Sequence, residues 1–244
     1  MARYGSDDVG FVLIDGFNVV GATTDFSEDR EAILEETHTL GDSWVEHEAV
    51  GLSRFSLTQS GFYDDDSDSI NELLEGNQGT NRVICLGPAG NTIGQPFTGV
   101  QGAINGSYRR QVSRGALHKA ESNYAGNGRI EDGVILHELS AETVDGDTES
   151  SSHDNAAQST AGGAGYLQIT AIDLDGHTAL EVDILDSADD ATFASKAAFT
   201  AATAVGAERI AIAGTIRRYT AVSYDFTGTG TSPSATFMTG IVRY

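Results

Sequence analysis

Leu52-Ser53-Arg54-Phe55-Ser56-Leu57-Thr58-Gln59-Ser60-Gly61-Phe62-Tyr63 places Phe55 and Leu57 on one face with polar residues between them. That period of two marks a half-buried strand. Upstream, residues 27–40 carry two signals: Ser27-Glu28-Asp29-Arg30 is able to cap a helix, and residues 33–40 equally extend as a strand toward Trp44; the extended reading is favoured. Further back, Phe11-Val12-Leu13-Ile14 and residues 17–20 are short apolar runs on either side of Asp15-Gly16, a hairpin-turn dipeptide.

Downstream, Asp64-Asp65-Asp66-Ser67-Asp68-Ser69 leads into Ile70-Asn71-Glu72-Leu73-Leu74-Glu75-Gly76. A capping residue, an acidic first turn and a closing glycine predict a short helix there. An apolar strand follows at residues 82–86, then a Gly-rich loop through Gly94, then three strand-like runs at 97–108, 115–124 and 129–139. Residues 140–163 are polar, acidic and small, without periodicity, and read as a linker or long surface loop. Residues 164–244 repeat turn signals roughly every ten residues, with strands expected at 166–172, 179–185, 197–201, 209–212, 219–226 and 235–242. The expectation is a mainly β protein: one β-sandwich domain over 1–139 with a short flanking helix, a linker, and a second β-sandwich over 164–244.

Charge defines the surroundings. Thirty-six acidic residues face fourteen basic ones, a formal net charge of −22, and Lys119 and Lys196 are the only lysines. Such self-repulsion weakens a compact state in dilute buffer, whereas at molar salt the Debye length falls to about 3 Å and the repulsion is screened. The composition suits high salt, and it argues against a protein that grips nucleic acid, which needs clustered cations. A wall of the same sign as DNA lets the polymer pass without sticking. Cys85 is the single cysteine, so no internal disulfide forms, and its apolar neighbours predict a buried thiol. No apolar run approaches a membrane span and no signal sequence opens the chain, so a soluble protein made in the cytoplasm is expected.

The chemistry-bearing clusters are weak. Asp64, Asp65, Asp66 and Asp68 are the metal candidates, but they lack the spacing of a calcium loop, and a salt-adapted helix N-terminus explains the same residues. Asp173, Asp175, Asp183, Asp186, Asp189 and Asp190 fall at strand ends and turns with nothing to set a catalytic pair apart. The six histidines show no zinc spacing, and Gly87-Pro88-Ala89-Gly90-Asn91-Thr92-Ile93-Gly94 lacks the lysine that a phosphate loop requires. No cofactor and no catalytic residue is assigned. The outlier is positive: residues 107–129 carry Arg109, Arg110, Arg114, His118, Lys119 and Arg129 against one acid, Glu121. A neighbouring subunit's acidic surface is the preferred partner, with Arg109, Arg110, Arg114 and Lys119 as assembly contacts. A nucleic-acid hairpin and a solvated face are the alternatives.

Four stretches carry a resemblance: Arg3-Tyr4-Gly5-Ser6-Asp7-Asp8-Val9-Gly10-Phe11, residues 35–47 around Gly41-Asp42-Ser43-Trp44, Ser60-Gly61-Phe62-Tyr63-Asp64-Asp65, and residues 110–120. They resemble tail-tube (major tail) proteins of long-tailed viruses over most of residues 1–139. Residues 164–170, 187–193 and 234–237 more loosely resemble β-sandwich domains attached to virion proteins. The resemblance implies a β-sandwich with one flanking helix, hairpins that join subunits into rings of six or three, and rings stacked around a DNA-conducting lumen. It implies other tail proteins at the tube ends and no membrane partner. The unusual acidity, in which this sequence departs from that family, implies a halophilic archaeal host. The alternative function is a capsid-surface or secreted β-sandwich module that recognises carbohydrate.

Overall fold

The computed structural model describes residues 5–37, 44, 47–63, 75, 76, 78–144, 148, 149 and 151–244. The chain is mainly β, with antiparallel pairing throughout the registered strands. In chain order the strands are β1 (Phe11–Ile14), β2 (Phe17–Asn18), β3 (Thr23–Glu36), β4 (His47–Phe62), β5 (Asn81–Gly87), β6 (Pro96–Gln111), β7 (Lys119–Gly126) and β8 (Ile130–Glu142). They continue with β9 (Thr148–Glu149), β10 (His153–Asp154), β11 (Gly163–Asp173), β12 (His177–Ser187), β13 (Ala194–Ala198), β14 (Gly206–Ile212), β15 (Tyr219–Gly228) and β16 (Ser234–Arg243). Residues 27–36 are extended, as the favoured of the two sequence readings had it. The turn between β1 and β2 places Asp15 at φ 51° and Gly16 at φ 87°, the left-handed pair that a tight hairpin demands. Of the expected helix, Glu75 and Gly76 are helical, and residues 70–74 lie outside the described residues.

Two compact units emerge, and their boundary differs from the sequence expectation. The first comprises Met1–Gly21, Arg82–Gln101 and Ile130–Tyr244; the second comprises Ala22–Asn81 and Gly102–Arg129. The expected division at 140–163 fails to coincide with either because that stretch is stitched into sheets by its backbone. Glu142 pairs with Ala235, β9 with Ser223 and Tyr224, and β10 with Tyr219 and Thr220. Polarity hid these strands, since backbone hydrogen bonding needs no apolar side chain.

The first unit is a β-sandwich with a third layer. One sheet orders its strands β14-β11-β16-β8-β6-β5-β1-β2, and the other runs β10-β15-β12-β13 with β9 also on β15. Between them lie Leu136, Leu167, Ile169, Phe237 and Ile241 from the first sheet and Leu180, Val182, Ile184, Val222, Tyr224 and Phe226 from the second. Successive side chains on a strand point to opposite faces, so Ile135, Tyr166, Met238 and Val242 face away from that core. They pack instead with Phe11, Leu13, Cys85 and Phe97, where the sheet curls back over itself. Strands buried on both faces read as continuous small and apolar runs, as β16 does with Phe237, Met238, Ile241 and Val242 all buried. The curl closes at Gly16, whose N–H donates to Oε1 of Gln168 at 2.7 Å. A Cβ there would lie 2.6 Å from the Ile169 carbonyl oxygen, so glycine is required.

The second unit is a four-stranded antiparallel sheet, β3-β4-β7-β6, to which β6 contributes its second half. The inner face is Phe55, Leu57 and Gln59 of β4, Ala120, Ser122 and Tyr124 of β7, and Ala103 and Asn105 of β6. The ring of Phe55 fills the space that a side chain at Gly126 would occupy.

Candidate assembly surface

Registers in the second unit set the positions of its charges. Strand β4 runs sixteen residues, about 50 Å at roughly 3.3 Å per residue. At its start it pairs with the end of β3, Glu36 opposite His47; at its finish Phe62 stands opposite Lys119, beside the β6–β7 turn. The two hairpin ends of this sheet therefore lie at opposite ends of one strand. Both are exposed: β3 is solvent-facing from Asp29 to Glu36, and residues 109–119 are exposed throughout.

The β6–β7 end carries the four cations singled out in the sequence, and the structure divides them. Arg110 is engaged within its own unit. Its guanidinium pairs with Glu75 and lies 5.1 Å from the centroid of the Tyr63 ring and 5.6 Å from that of Tyr108. It fixes the helical residue Glu75 to the strand end, using charge and ring face together. Arg109 stands in register with Glu121, and Arg114 and Lys119 bracket the turn. No intramolecular ion pair among the described residues engages Arg109, Arg114 or Lys119. Between them Val112 and Leu117 are 68% and 70% exposed.

Other candidates resolve into structural roles. Asp64, Asp65, Asp66 and Asp68 lie outside the described residues. Asp186 is buried, accepting the Arg217 backbone N–H at 2.9 Å and its Nε at 3.2 Å. Asp189 accepts from the backbone of Ala191 and Thr192 and from Ser187 Oγ, which holds its carboxyl down at about 2. Asp175 accepts from Thr231 Oγ1 and from the Ser232 backbone N–H. The glycine loop turns tightly because Gly90 and Gly94 adopt φ of 113° and 83°, and Gly10 packs so closely against it that a Cβ there would meet the Gly90 backbone at 2.4 Å. Among the described residues no group of three or more His, Cys, Asp or Glu side chains is placed to hold a metal ion, and no helix is long and apolar enough to cross a membrane.

One cluster escaped sequence reasoning. Glu131, buried on β8, accepts from Arg209 at 2.9 and 3.0 Å, from Tyr166 Oη at 2.6 Å and from the Tyr244 hydroxyl. Burial pushes its carboxyl pKa up, yet these donors together hold it below its ordinary value. The members are scattered across the chain and share no motif, so only the folded register brings them together. Two surface hollows in the first unit are lined by Leu167, Ile169, Thr200 and Glu208 with neighbouring alanines, and by Asp132, Val134, Asn155, Ile241 and Arg243. Neither offers the aromatic platform on which a sugar ring stacks.

No family model and no curated protein matches the chain. Among solved structures, the virion of a native gene transfer agent particle is similar over 53% of this chain and 97% of the other, at 14% identity and a TM-score of 0.39. The SPP1 Dit protein, described as a paradigm of the hub adsorption apparatus in phages infecting Gram-positive bacteria, aligns over 96% of this chain and 98% of its own, at 12% identity and a TM-score of 0.37. The infectious bursal disease virus Gx strain aligns over 99% of this chain and 69% of its own, at 12% identity and a TM-score of 0.29.

Proposed function

We propose that this chain is a structural virion protein of a viral tail, assembling with copies of itself into stacked rings that form a tube through which DNA passes. The observation that carries the reading is the sheet β3-β4-β7-β6, whose strands run well beyond the part that the chain buries. A solitary globular protein gains nothing from long strands exposed on both faces, with Leu34 on β3 and Val112 and Leu117 in the β6–β7 turn open to water; such surface is an aggregation hazard unless a neighbour covers it. A subunit of a repeating assembly has that neighbour. The resemblance of residues 1–139 to tail-tube proteins points the same way.

The charge supports the same role. A net charge of −22 keeps unassembled subunits apart and leaves a lumen wall without phosphate contacts. Arg109, Arg114 and Lys119 meet the acidic surface of a neighbouring copy, rings hold six or three chains, and other tail proteins close the tube ends. The assembly belongs to the tail of a virus with a halophilic archaeal host, in whose cytoplasm the chain is made, and the role calls for no catalytic residue and no cofactor. Negative-stain microscopy of purified protein at molar salt tests this: tubes or stacked rings are expected. Uniform monomers that bind a polysaccharide would favour the carbohydrate-binding module instead.

A further inference from the structure

We infer that the two ends of the second unit's sheet are partners for one another in successive copies of this chain, the acidic β3–β4 end of one copy docking head to tail on the basic β6–β7 end of the next. The inference rests on the self-assembly reading above and names the surfaces it uses.

The first observation is a repulsive pair. Glu35 on β3 stands directly opposite Glu48 on β4. Like charges at opposed positions of an antiparallel pair sit about 5 Å apart and destabilise it. Nearer the middle of the hairpin the acids are matched, Glu28 by Arg30 and Glu31 by Arg54. At the outer end no ion pair among the described residues relieves Glu35 or Glu48. A cation from outside the chain removes the repulsion and converts it to attraction.

The second observation is that the opposite end supplies this cation in matching surroundings. Arg114 and Lys119 are exposed beside Val112 and Leu117, as Glu35 and Glu48 are exposed beside Ile33 and Leu34, the last 55% exposed. Each end thus pairs charge with apolar contact, so docking both neutralises the ions and covers aliphatic surface, which solvated ion pairs alone do not do. Arg110 is excluded from the contact because Glu75, Tyr63 and Tyr108 already hold it.

The third observation is placement. Because the ends lie at the two extremities of β4, one molecule cannot bring its own ends together, so their contact takes a second copy. With successive copies in one orientation, head to tail, that contact is heterologous and propagates from copy to copy.

Reciprocal charge reversal tests this in full-length protein at molar salt, with mass read by light scattering and folding by circular dichroism. Glu35→Lys with Glu48→Lys, and separately Arg114→Glu with Lys119→Glu, are each expected to raise the protein concentration needed for assembly at least tenfold. An equimolar mixture of the two variants, and a single chain carrying all four substitutions, are expected to assemble again. Folded variants that assemble as wild type does would overturn the docking while leaving self-assembly intact. Failure of both restorations would overturn it as well, including the case where the Arg114 and Lys119 substitutions instead abolish binding to a DNA oligonucleotide. A wild-type chain that stays monomeric across the salt range would remove the self-assembly reading and this inference together.

Discussion

The hydroxyl of Tyr166 donates to Oε2 of Glu131 at 2.6 Å, although the two residues stand on β11 and β8 with β16 hydrogen-bonded between them. The curl of the sheet lets the ring reach across its neighbour, and Arg209 completes the site with a two-pronged pair. Glu131 is buried and the Arg209 side chain is 12% exposed, so removing one charge strands the other. Glu131→Gln is expected to cost about 3 kcal/mol, the lower end for breaking a buried pair. Tyr166→Phe, which removes one neutral donor, is expected to cost about 1 kcal/mol. Urea unfolding at constant high salt measures both, and equal small effects would show the carboxylate to be dispensable.

The same ring explains a glycine. A Cβ on Gly99 would lie 2.6 Å from the Tyr166 ring, which is itself held edge-on by Phe97 at 5.7 Å. Gly99→Ala is expected to lose about 2 kcal/mol through overpacking. Gly106→Ala on the same strand, where a Cβ would have only the Asn123 carbonyl oxygen within 4 Å, at 3.8 Å, is expected to be close to neutral. Matched thermal melts of the two variants compare them directly.

Acid should unfold the protein in two stages. Burial holds the His137 imidazole below its ordinary range against the pull of Glu142, so the unfolded chain takes up that proton first and stability starts to fall below about pH 6.5. Glu131 is held below its ordinary value, and Asp189 and Asp154 are held at about 2 by hydrogen bonds from backbone N–H groups and Ser187, and from Arg218. Depressed carboxylates stabilise fully above their unfolded values and lose that contribution as pH falls through the folded ones. Circular dichroism at constant salt is expected to show decline from pH 6.5 that steepens below about pH 4. Stability unchanged down to pH 3 would contradict these assignments.

Burial pushes the Cys85 thiol up to about 12. A thiol reagent is therefore expected to leave the folded chain untouched at pH 8 and to label one thiol per chain once denaturant is added. Rapid labelling of native protein would place Cys85 at the surface.

Assembly size should grow with salt. The −22 charge repels subunits over about 10 Å at 0.1 M ionic strength and only about 3 Å at 1 M, while ion pairs buried in a contact are screened much less. Light scattering from 0.1 to 2 M salt is expected to show increasing mass, and a constant mass would contradict the balance of forces argued here.

Legibility in the sequence followed the range of the physics. Alternation in residues 52–63 identified β4, and Asp15-Gly16 identified the β1–β2 turn, because side-chain period and left-handed backbone are local properties. The polar stretch 140–163 was read as a linker because apolar patterning reports burial alone. Its strands are held by partners some 70 to 90 residues away, Glu142 by Ala235 and Thr148 by Tyr224. The basic strip stood out as a departure from the acidic background, but nothing in it distinguished Arg110 from Arg109 and Arg114. That distinction needed Tyr63 and Glu75 brought alongside.

By itself the sequence determined that this is a β protein with a formal net charge of −22, since both follow from which residues are present and how they alternate. Tertiary structure alone decided which strands pair, and with them that Glu35 meets Glu48 at one end of β4 while Lys119 stands at the other. Register is a property of two strands at once, set by contacts that neither encodes alone, and it converts a scattered set of charges into a sheet with two unlike ends.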